Sequence, residues 1–432
     1  MGYSRVRLRV EGERAAVEGA ARSLGWDRWS QEGRGDWNVW WASPALARQA
    51  LQPEHGVRLT DSQIVSHFPN HQELTRKDLM AKNVRRYTKD LEKRESGGGG
   101  RGSYGPAGEG GDGAGSGALD CVPTTYNLPQ DFPLFCEEHR RRPSPWIVKP
   151  SSRAQGKGIF LITRISQVRK WASAQWAPGA SPSGMGGSGG GGGLGPSVAG
   201  MAGGGGQSFR PPPPHTLGPG DGYVVSRYID NPLLIGGRKF DLRLYVLVLS
   251  FRPLQAYVSR LGFARFCGNK YTADTGSIDD ALVHLTNVAV QKHADDYNRS
   301  HGNKWPLSTL QTYLESNFGT ACSRRLFRDM DAVILHSLKA VQGAIVSDRH
   351  CFELYGYDII VDGDLKPWLI EVNASPSLSS TTPADLKLKT AVLSDTFAAL
   401  VPGDRVDLSR PRPLPPRVGS LELLIDESRP PN

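Results

Sequence analysis

No run of about 20 apolar residues, the length needed to cross a bilayer, occurs in the 432-residue chain. The start, Met1-Gly2-Tyr3-Ser4-Arg5-Val6-Arg7, lacks the continuous apolar segment of a signal peptide, so the cytosol is the expected compartment. Cysteine is scarce: Cys121, Cys136, Cys267, Cys322 and Cys351 are odd in number, scattered and without CxxC spacing. That argues against a disulfide framework or a zinc site and leaves reduced, mostly structural thiols. Zinc-finger, RRM and KH signatures are missing, and the glycine runs lack the Gly-Lys-Ser/Thr of a P-loop.

The residues present describe a chain with 38% hydrophobic content, enough for a large core and two or three domains. A net charge of +9 favours a polyanionic partner. Leu74 to Lys89 reads as a helix with Leu79, Lys82 and Arg86 at three- and four-residue spacing, giving a basic face. Few aromatics are interleaved there, which places an acidic protein ahead of nucleic acid as the partner. An ordinary solvated helix face has the same pattern.

Two low-complexity stretches divide the chain. Residues 96–118 are Gly-rich, and residues 177–220 carry Gly189 to Gly193, Gly203 to Gly206 and Pro211 to Pro214; both are expected to be disordered insertions. They separate a small N-terminal domain, 1–95, from two parts of a main block, 119–176 and 221–400. Trp26, Trp29, Trp37, Trp40 and Trp41 are expected to build a small core in the first domain. The Pro/Arg-rich tail, 401–432, reads as an extended wrap or a loose end.

Chemistry concentrates in the main block. Tyr357 to Asp362 and Lys366 to Asn373 read as a hairpin with its tight turn at Asp362-Gly363 or Gly363-Asp364. Alternation then sets Asp358, Glu371 and Asn373 on one face, and Ile359, Val361, Trp368, Ile370 and Val372 on the other. Two carboxylates and an amide are hard ligands suited to Mg²⁺ shared with nucleotide phosphates, although a solvated polar face would look alike. Upstream, Trp146 to Ile162 forms a second hairpin in which Gly156 and Gly158 flank Lys157 and Lys149 lies on the first strand. The glycines let backbone approach a phosphate chain, and the lysines neutralise its charge. Tyr223 to Ile229 is an apolar strand able to offer backbone groups to an adenine edge. Along Arg238 to Leu249, Lys239, Asp241 and Arg243 share one face, with Phe240, Leu242 and Leu244 on the other. Arg265 is suited to hold a carboxylate bidentately, with Thr286 and Asn287 supplying hydrogen bonds.

These segments occur in the order of the ATP-grasp carboxylate-amine ligases, and from about Asp36 to Leu400 the chain resembles the tubulin tyrosine ligase-like family, most of all its ninth subfamily. The resemblance is carried by Phe68-Pro69-Asn70-His71-Gln72-Glu73-Leu74-Thr75-Arg76-Lys77, Gln155 to Ile159, Gly237 to Arg243, His284 to Gln291, Tyr355 to Asp358 and Trp368 to Ser377. It implies an α+β ATP-grasp fold with antiparallel sheets and flanking helices. ATP would be bound by Lys149, Gln155, Gly156, Lys157, Gly158, Ile159, Ser226, Arg227, Tyr228, Ile229, Lys239 and Asp241. Mg²⁺ would be held by Asp358, Glu371 and Asn373, and the free amino acid by Arg265, Thr286 and Asn287, with Lys389 near the acceptor. Lys149, Lys157, Lys239, Arg243 and Arg265 form the implied catalytic set. Ser226 departs from the family's usual Gln, which puts that side chain's contact to adenine in doubt.

The implied activity is a polyglutamylase, an ATP-dependent amino acid ligase. A tubulin glutamate side chain is phosphorylated, and the amino group of free L-glutamate attacks the acyl phosphate. The implied partners are the acidic C-terminal tails of tubulin, microtubules of cilia or flagella (axoneme or basal body) and accessory subunits, with no nucleic acid and no membrane. A sister ligase adding glycine or tyrosine, and a non-catalytic microtubule-binding module, remain open alternatives.

Overall fold

The structure, a computed structural model, describes residues 5–11, 14–31, 36–52, 54, 58–97, 120–152, 156, 158–169, 222–274, 281–286, 291, 303–380 and 382–429. Apart from Ser96 and Gly97, both low-complexity stretches lie outside the described residues. The strands are β1 (Arg7–Val10), β2 (Asp27–Arg28), β3 (Val39–Trp41), β4 (Ile64–Ser66), β5 (Thr125–Leu128), β6 (Trp146–Pro150), β7 (Phe160–Ile162) and β8 (Tyr223–Arg227). They continue as β9 (Leu234–Ile235), β10 (Arg238–Phe251), β11 (Leu254–Phe266), β12 (Lys304–Pro306), β13 (Cys351–Val361), β14 (Pro367–Asn373), β15 (Arg417–Val418) and β16 (Leu421–Asp426). The helices are α1 (Ala15–Ser23), α2 (Pro44–Leu51), α3 (Gln72–Thr75), α4 (Lys77–Gly97), α5 (Phe132–Arg141), α6 (Ala281–His284), α7 (Leu307–Phe318), α8 (Thr320–Gln342) and α9 (Pro383–Leu400).

The backbone of the fold is β10, whose apolar run is buried on both faces between antiparallel β11 and β13. Phe240, Leu242, Leu244, Val246 and Val248 enter one core, while Tyr245, Leu247 and Leu249 enter a second. Lys239, Asp241 and Arg243 continue that second face toward the strand's start, so the charged stripe begins where the second core ends. The large sheet runs β15-β16-β11-β10-β13-β4-β3-β1-β2, with β9, β12 and β14 attached beside β10, β11 and β13. A separate antiparallel sheet, β5-β8-β6-β7, packs Trp146, Phe160 and Tyr223 with Phe135 of α5.

Three expectations change. The tryptophans do not make a core of their own, because β4 pairs in parallel with β13 and carries the N-terminal strands into the large sheet. Trp37 and Trp40 join the first core; Trp26 and Trp41 join the second, where Trp26 stacks on Phe397 of α9 at 4.9 Å. The expected helix from Leu74 is broken at Arg76, whose extended backbone (φ −85°, ψ 128°) separates α3 from α4. The tail is no loose end: β16 pairs along β11, and the Arg260 guanidinium bridges Asp331 of α8 at 2.8 Å and Glu422 of β16 at 2.6 Å. Pairing there covers an edge strand that would otherwise present bare backbone.

Candidate active site

Between the small sheet, the start of β10 and the β13–β14 hairpin lies an open cleft. Met80, Ala81, Val122, Ile147, Val224, Ile360, Leu369 and Ile370 give it apolar walls, and Lys77, Lys149, Lys239, Asp241, Asp358 and Glu371 bring the charge. Apolar walls with a few convergent polar groups are the usual make-up of a small-molecule site.

Register explains the charged centre. Asp241 lies opposite Arg265 across β10 and β11, and Arg243 opposite Asp358 across β10 and β13. Such directly opposed pairs are close enough to bond. Arg265 donates to Asp241 through Nε at 2.8 Å and Nη2 at 2.5 Å, and its Nη2 also reaches Asp358 at 2.9 Å. Arg243 donates to both Asp358 oxygens, at 2.6 and 3.1 Å. Burial works to raise the Asp358 carboxyl, but Arg243 and Arg265 together hold it well below the usual carboxylate range. Burial likewise works against the Arg265 charge, and Asp241 and Asp358 outweigh it, holding that guanidinium well above its ordinary value. The bidentate fork expected to hold a substrate carboxylate is thus engaged by Asp241.

The β13–β14 hairpin differs from strict alternation. Asp358 pairs with Glu371, but the next pair is Ile359 with Leu369, leaving Ile370 as a bulge. Ile370 therefore lines the cleft, and Trp368 donates its Nε1 to Asp362 at 2.8 Å, while Ile359, Val361, Leu369 and Val372 fill the core. Gly363 and Asp364 do form the centre of the turn, with the Leu365 N–H donating to the Asp362 carbonyl at 3.0 Å. The Asp362 carboxylate accepts from the backbone of Asp364 at 3.0 Å and Lys366 at 2.9 Å, and Leu365, with φ 61°, follows the turn as one extra loop residue. Glu371 pairs with Lys77 at 3.0 Å. Asn373 donates its amide to the Gly356 carbonyl at 3.3 Å, which leaves its Oδ1 without a partner among the described residues. No three His, Cys, Asp or Glu side chains gather among the described residues.

The lysines carry the clearest ligand signal. Lys149 is 7% exposed and has no hydrogen-bond or ion-pair partner among the described residues. Burial, helped by Lys77 and Lys239 and opposed by Glu371 and Asp358, pushes its pKa down to about 8. Lys239, 2% exposed, is likewise pushed to about 8, by burial against the pull of Cys267 and Asp241. Its Nζ donates to the Tyr228 hydroxyl at 2.8 Å. A buried ammonium without a carboxylate is costly unless an anion arrives, and a polyphosphate fits that requirement.

Gly156, Ile159, Arg227, Tyr228, Ile229 and Thr286 line the same cleft. Gly156 and Gly158 have φ of 75° and 76°, a left-handed backbone that explains glycine on both sides of position 157. Ser226 lines the cleft too, with its hydroxyl bonded to Thr125 Oγ1 at 2.8 Å. Gln155, Lys157 and Asn287 lie outside the described residues. Lys389 is not a lining residue: it is buried in α9, bonded to Asp385 at 3.1 Å and to the Ser379 carbonyl. Sequence reasoning missed Lys77 as a site residue because it counted as part of a solvated helix; its place at the end of the Phe68–Lys77 match was the available signal.

A cleft between two sheets, buried lysines on strands with no bonded carboxylate among the described residues, and a carboxylate hairpin lining the same cleft make this an ATP-grasp-like architecture. The sequence pattern of the tubulin-tyrosine ligase family matches residues 57–408, and the chain belongs to that family. It is 42% identical to "Probable alpha-tubulin polyglutamylase Ttll1" of Tetrahymena thermophila over 99% of this chain and 95% of that one. It is 43% identical to "Probable tubulin polyglutamylase TTLL9" of Mus musculus over 86% of this chain and 74% of that one. "Tubulin polyglutamylase TTLL5" of Homo sapiens is 30% identical over 84% of this chain and 24% of its own length.

Proposed function

We propose that the chain is an ATP-dependent tubulin polyglutamylase, joining free L-glutamate to glutamate side chains in the acidic C-terminal tails of tubulin. The observation that carries the chemistry is the pair of buried lysines, Lys149 and Lys239, without carboxylate partners beside Asp358, Glu371 and Asn373. The names of the relatives support the choice of tubulin and glutamate.

In this reading Lys149 and Lys239 hold the polyphosphate, with Lys157, Gln155 and the glycine-flanked turn beside them. Asp358, Glu371 and Asn373 are the hard-oxygen set for Mg²⁺, a cation that takes few protein ligands and shares its shell with water and phosphate. ATP supplies the phosphoryl group that activates the acceptor carboxyl; the glutamate amine then forms the amide bond as phosphate leaves. Arg243 and Arg265, fixed by Asp358 and Asp241, are held as preorganised donors that need no reorganisation as charge develops. With Nε and Nη2 of Arg265 engaged, Nη1 is the atom left to meet the carboxylate of the incoming amino acid, alongside Thr286 and Asn287, with Lys389 nearer the acceptor.

Exposed Lys82, Arg86 and Lys89 on α4 give acidic tails a salt-sensitive attraction. Among the described residues no helix is long and apolar enough to cross a membrane. We place the protein on the cytoskeleton, with ciliary or flagellar microtubules as its substrate and accessory subunits as further partners. The test is ATP hydrolysis stimulated by tubulin and lost in Glu371→Gln. Tight microtubule binding with no turnover would instead mark a non-catalytic module.

A further inference from the structure

Lys239 is fully buried, yet no carboxylate bonds to its ammonium among the described residues. Its surroundings are aromatic. The Tyr228 hydroxyl accepts from Nζ at 2.8 Å, and Nζ lies 4.3 Å from the Tyr228 ring centre and 5.9 Å from that of Tyr271. Behind them, the Tyr228 hydroxyl meets His284 Nδ1 at 2.9 Å. The His284 ring stands edge-on to Tyr228 at 5.7 Å and to Tyr271 at 5.9 Å. Tyr228 and His284 are themselves buried, at 7% and 6% exposure.

Donor bookkeeping orients this chain. An ammonium only donates, so Tyr228 Oη accepts from Lys239, and the same hydroxyl also meets His284 Nδ1 and the Tyr271 hydroxyl. A carboxylate in the place of Tyr228 would cancel the lysine's charge, whereas an aromatic face and a hydroxyl attract the ammonium and leave its charge intact.

We propose that Tyr228, braced by His284, is a positioning residue that holds the Lys239 ammonium charged and aimed at an anionic ligand, the polyphosphate of a nucleotide. The inference rests on the nucleotide reading of the cleft and deepens it, giving Tyr228 a side-chain role beyond any backbone contact to the base. The groups facing Lys239 are Lys149 from β6, Tyr228 from β8, Cys267 and Tyr271 beyond β11, His284 from α6 and Asp241 on its own strand. Of these, Cys267 and Asp241 favour the charged lysine, Asp241 while bidentate to Arg265, and the Tyr228 hydroxyl is the acceptor that meets Nζ directly. Burial already brings that lysine to about 8, within reach of neutral pH.

The experiment measures MgATP affinity of the full chain by titration calorimetry from pH 6 to 9. It compares wild type with Tyr228→Phe, His284→Leu and His284→Asn, the last of which keeps a hydrogen-bonding partner for the tyrosine hydroxyl. Loss of an acceptor to a charged donor should move the alkaline loss of affinity down by about one pH unit. Tyr228→Phe then binds about tenfold more weakly than wild type at pH 9 and equally near pH 6. His284→Leu should shift the same way and His284→Asn should not. A uniform weakening at every pH, or an unchanged profile, overturns the positioning role while leaving the nucleotide site standing. Failure of wild type to bind MgATP at any pH overturns the nucleotide reading and this proposal with it.

Discussion

Replacing Lys149 by methionine should strengthen the fold and abolish nucleotide binding. The side chain is 7% exposed and its pKa falls from 10.5 to about 8. Each unit is worth about 1.4 kcal/mol, so holding the proton in the folded state costs about 3 kcal/mol. Because the folded pKa lies below the unfolded one, this cost is present in full below about pH 8. It fades as pH rises from there toward 10.5, where the unfolded lysine also loses its proton. Methionine fills similar volume without the charge. With an unfolding entropy of roughly 2.1 cal/mol/K per residue, relief of about 3 kcal/mol raises the melting temperature by about 4 °C at pH 7. MgATP at about 100 times its Kd should stabilise wild type by about 2.7 kcal/mol and the variant not at all. Scanning calorimetry at pH 7, with and without MgATP, reads both effects. A Lys149→Met protein that melts below wild type, or that keeps the MgATP shift, would refute the reasoning.

Three further perturbations have expected outcomes. Asp358→Asn takes from Arg243 its carboxylate partner and leaves Arg265 with Asp241; it should cost about 3–5 kcal/mol in urea unfolding, and a loss under about 1 kcal/mol would contradict the pairing. His67 Nδ1 meets Glu353 at 2.5 Å and Nε2 meets the Ala42 carbonyl at 3.2 Å, two acceptors that call for an imidazolium. Burial opposes that charge but Glu353 outweighs it, so the pKa is raised above 6.5. Its stabilisation is complete below pH 6.5 and disappears as pH climbs through the raised value; in His67→Gln the decline of melting temperature from pH 6 to 8.5 should flatten. A chain ending at Pro416 loses β15 and β16, uncovers β11 and removes the Arg260–Glu422 pair. It should melt lower and associate on size-exclusion chromatography, and unchanged behaviour would show that the tail strand contributes nothing.

Much of the catalytic half was legible because its pattern is local. Alternation along β10 is enough to align Lys239, Asp241 and Arg243, and the stretch from Trp146 to Ile162 does form an antiparallel hairpin carrying Lys149. What escaped depends on pairing between distant segments. Nothing near Glu371 announces the bulge at Ile370, which arises from how β14 fits β13. Arg265 reads as a free fork until β10 and β11 come into register and Asp241 takes it. Lys77 looks like one more cation on a basic helix until the break at Arg76 turns it into the cleft. The tryptophans suggested a local core because their partners, Phe397 above all, lie more than 300 positions away. The tail's prolines hid a six-residue strand that forms because the edge of β11 is there to receive it.

The most direct measurement is transfer of labelled amino acids to purified tubulin, read by mass spectrometry of the C-terminal tails. The full chain is incubated with MgATP and glutamate, glycine or tyrosine in turn, supplemented with cell extract in case partner subunits are needed. The expected result is addition of glutamate to tail glutamate side chains, dependent on ATP and absent when Glu371→Gln replaces wild type. Incorporation of glycine or tyrosine but not glutamate, or glutamate transfer that persists in Glu371→Gln, would contradict it.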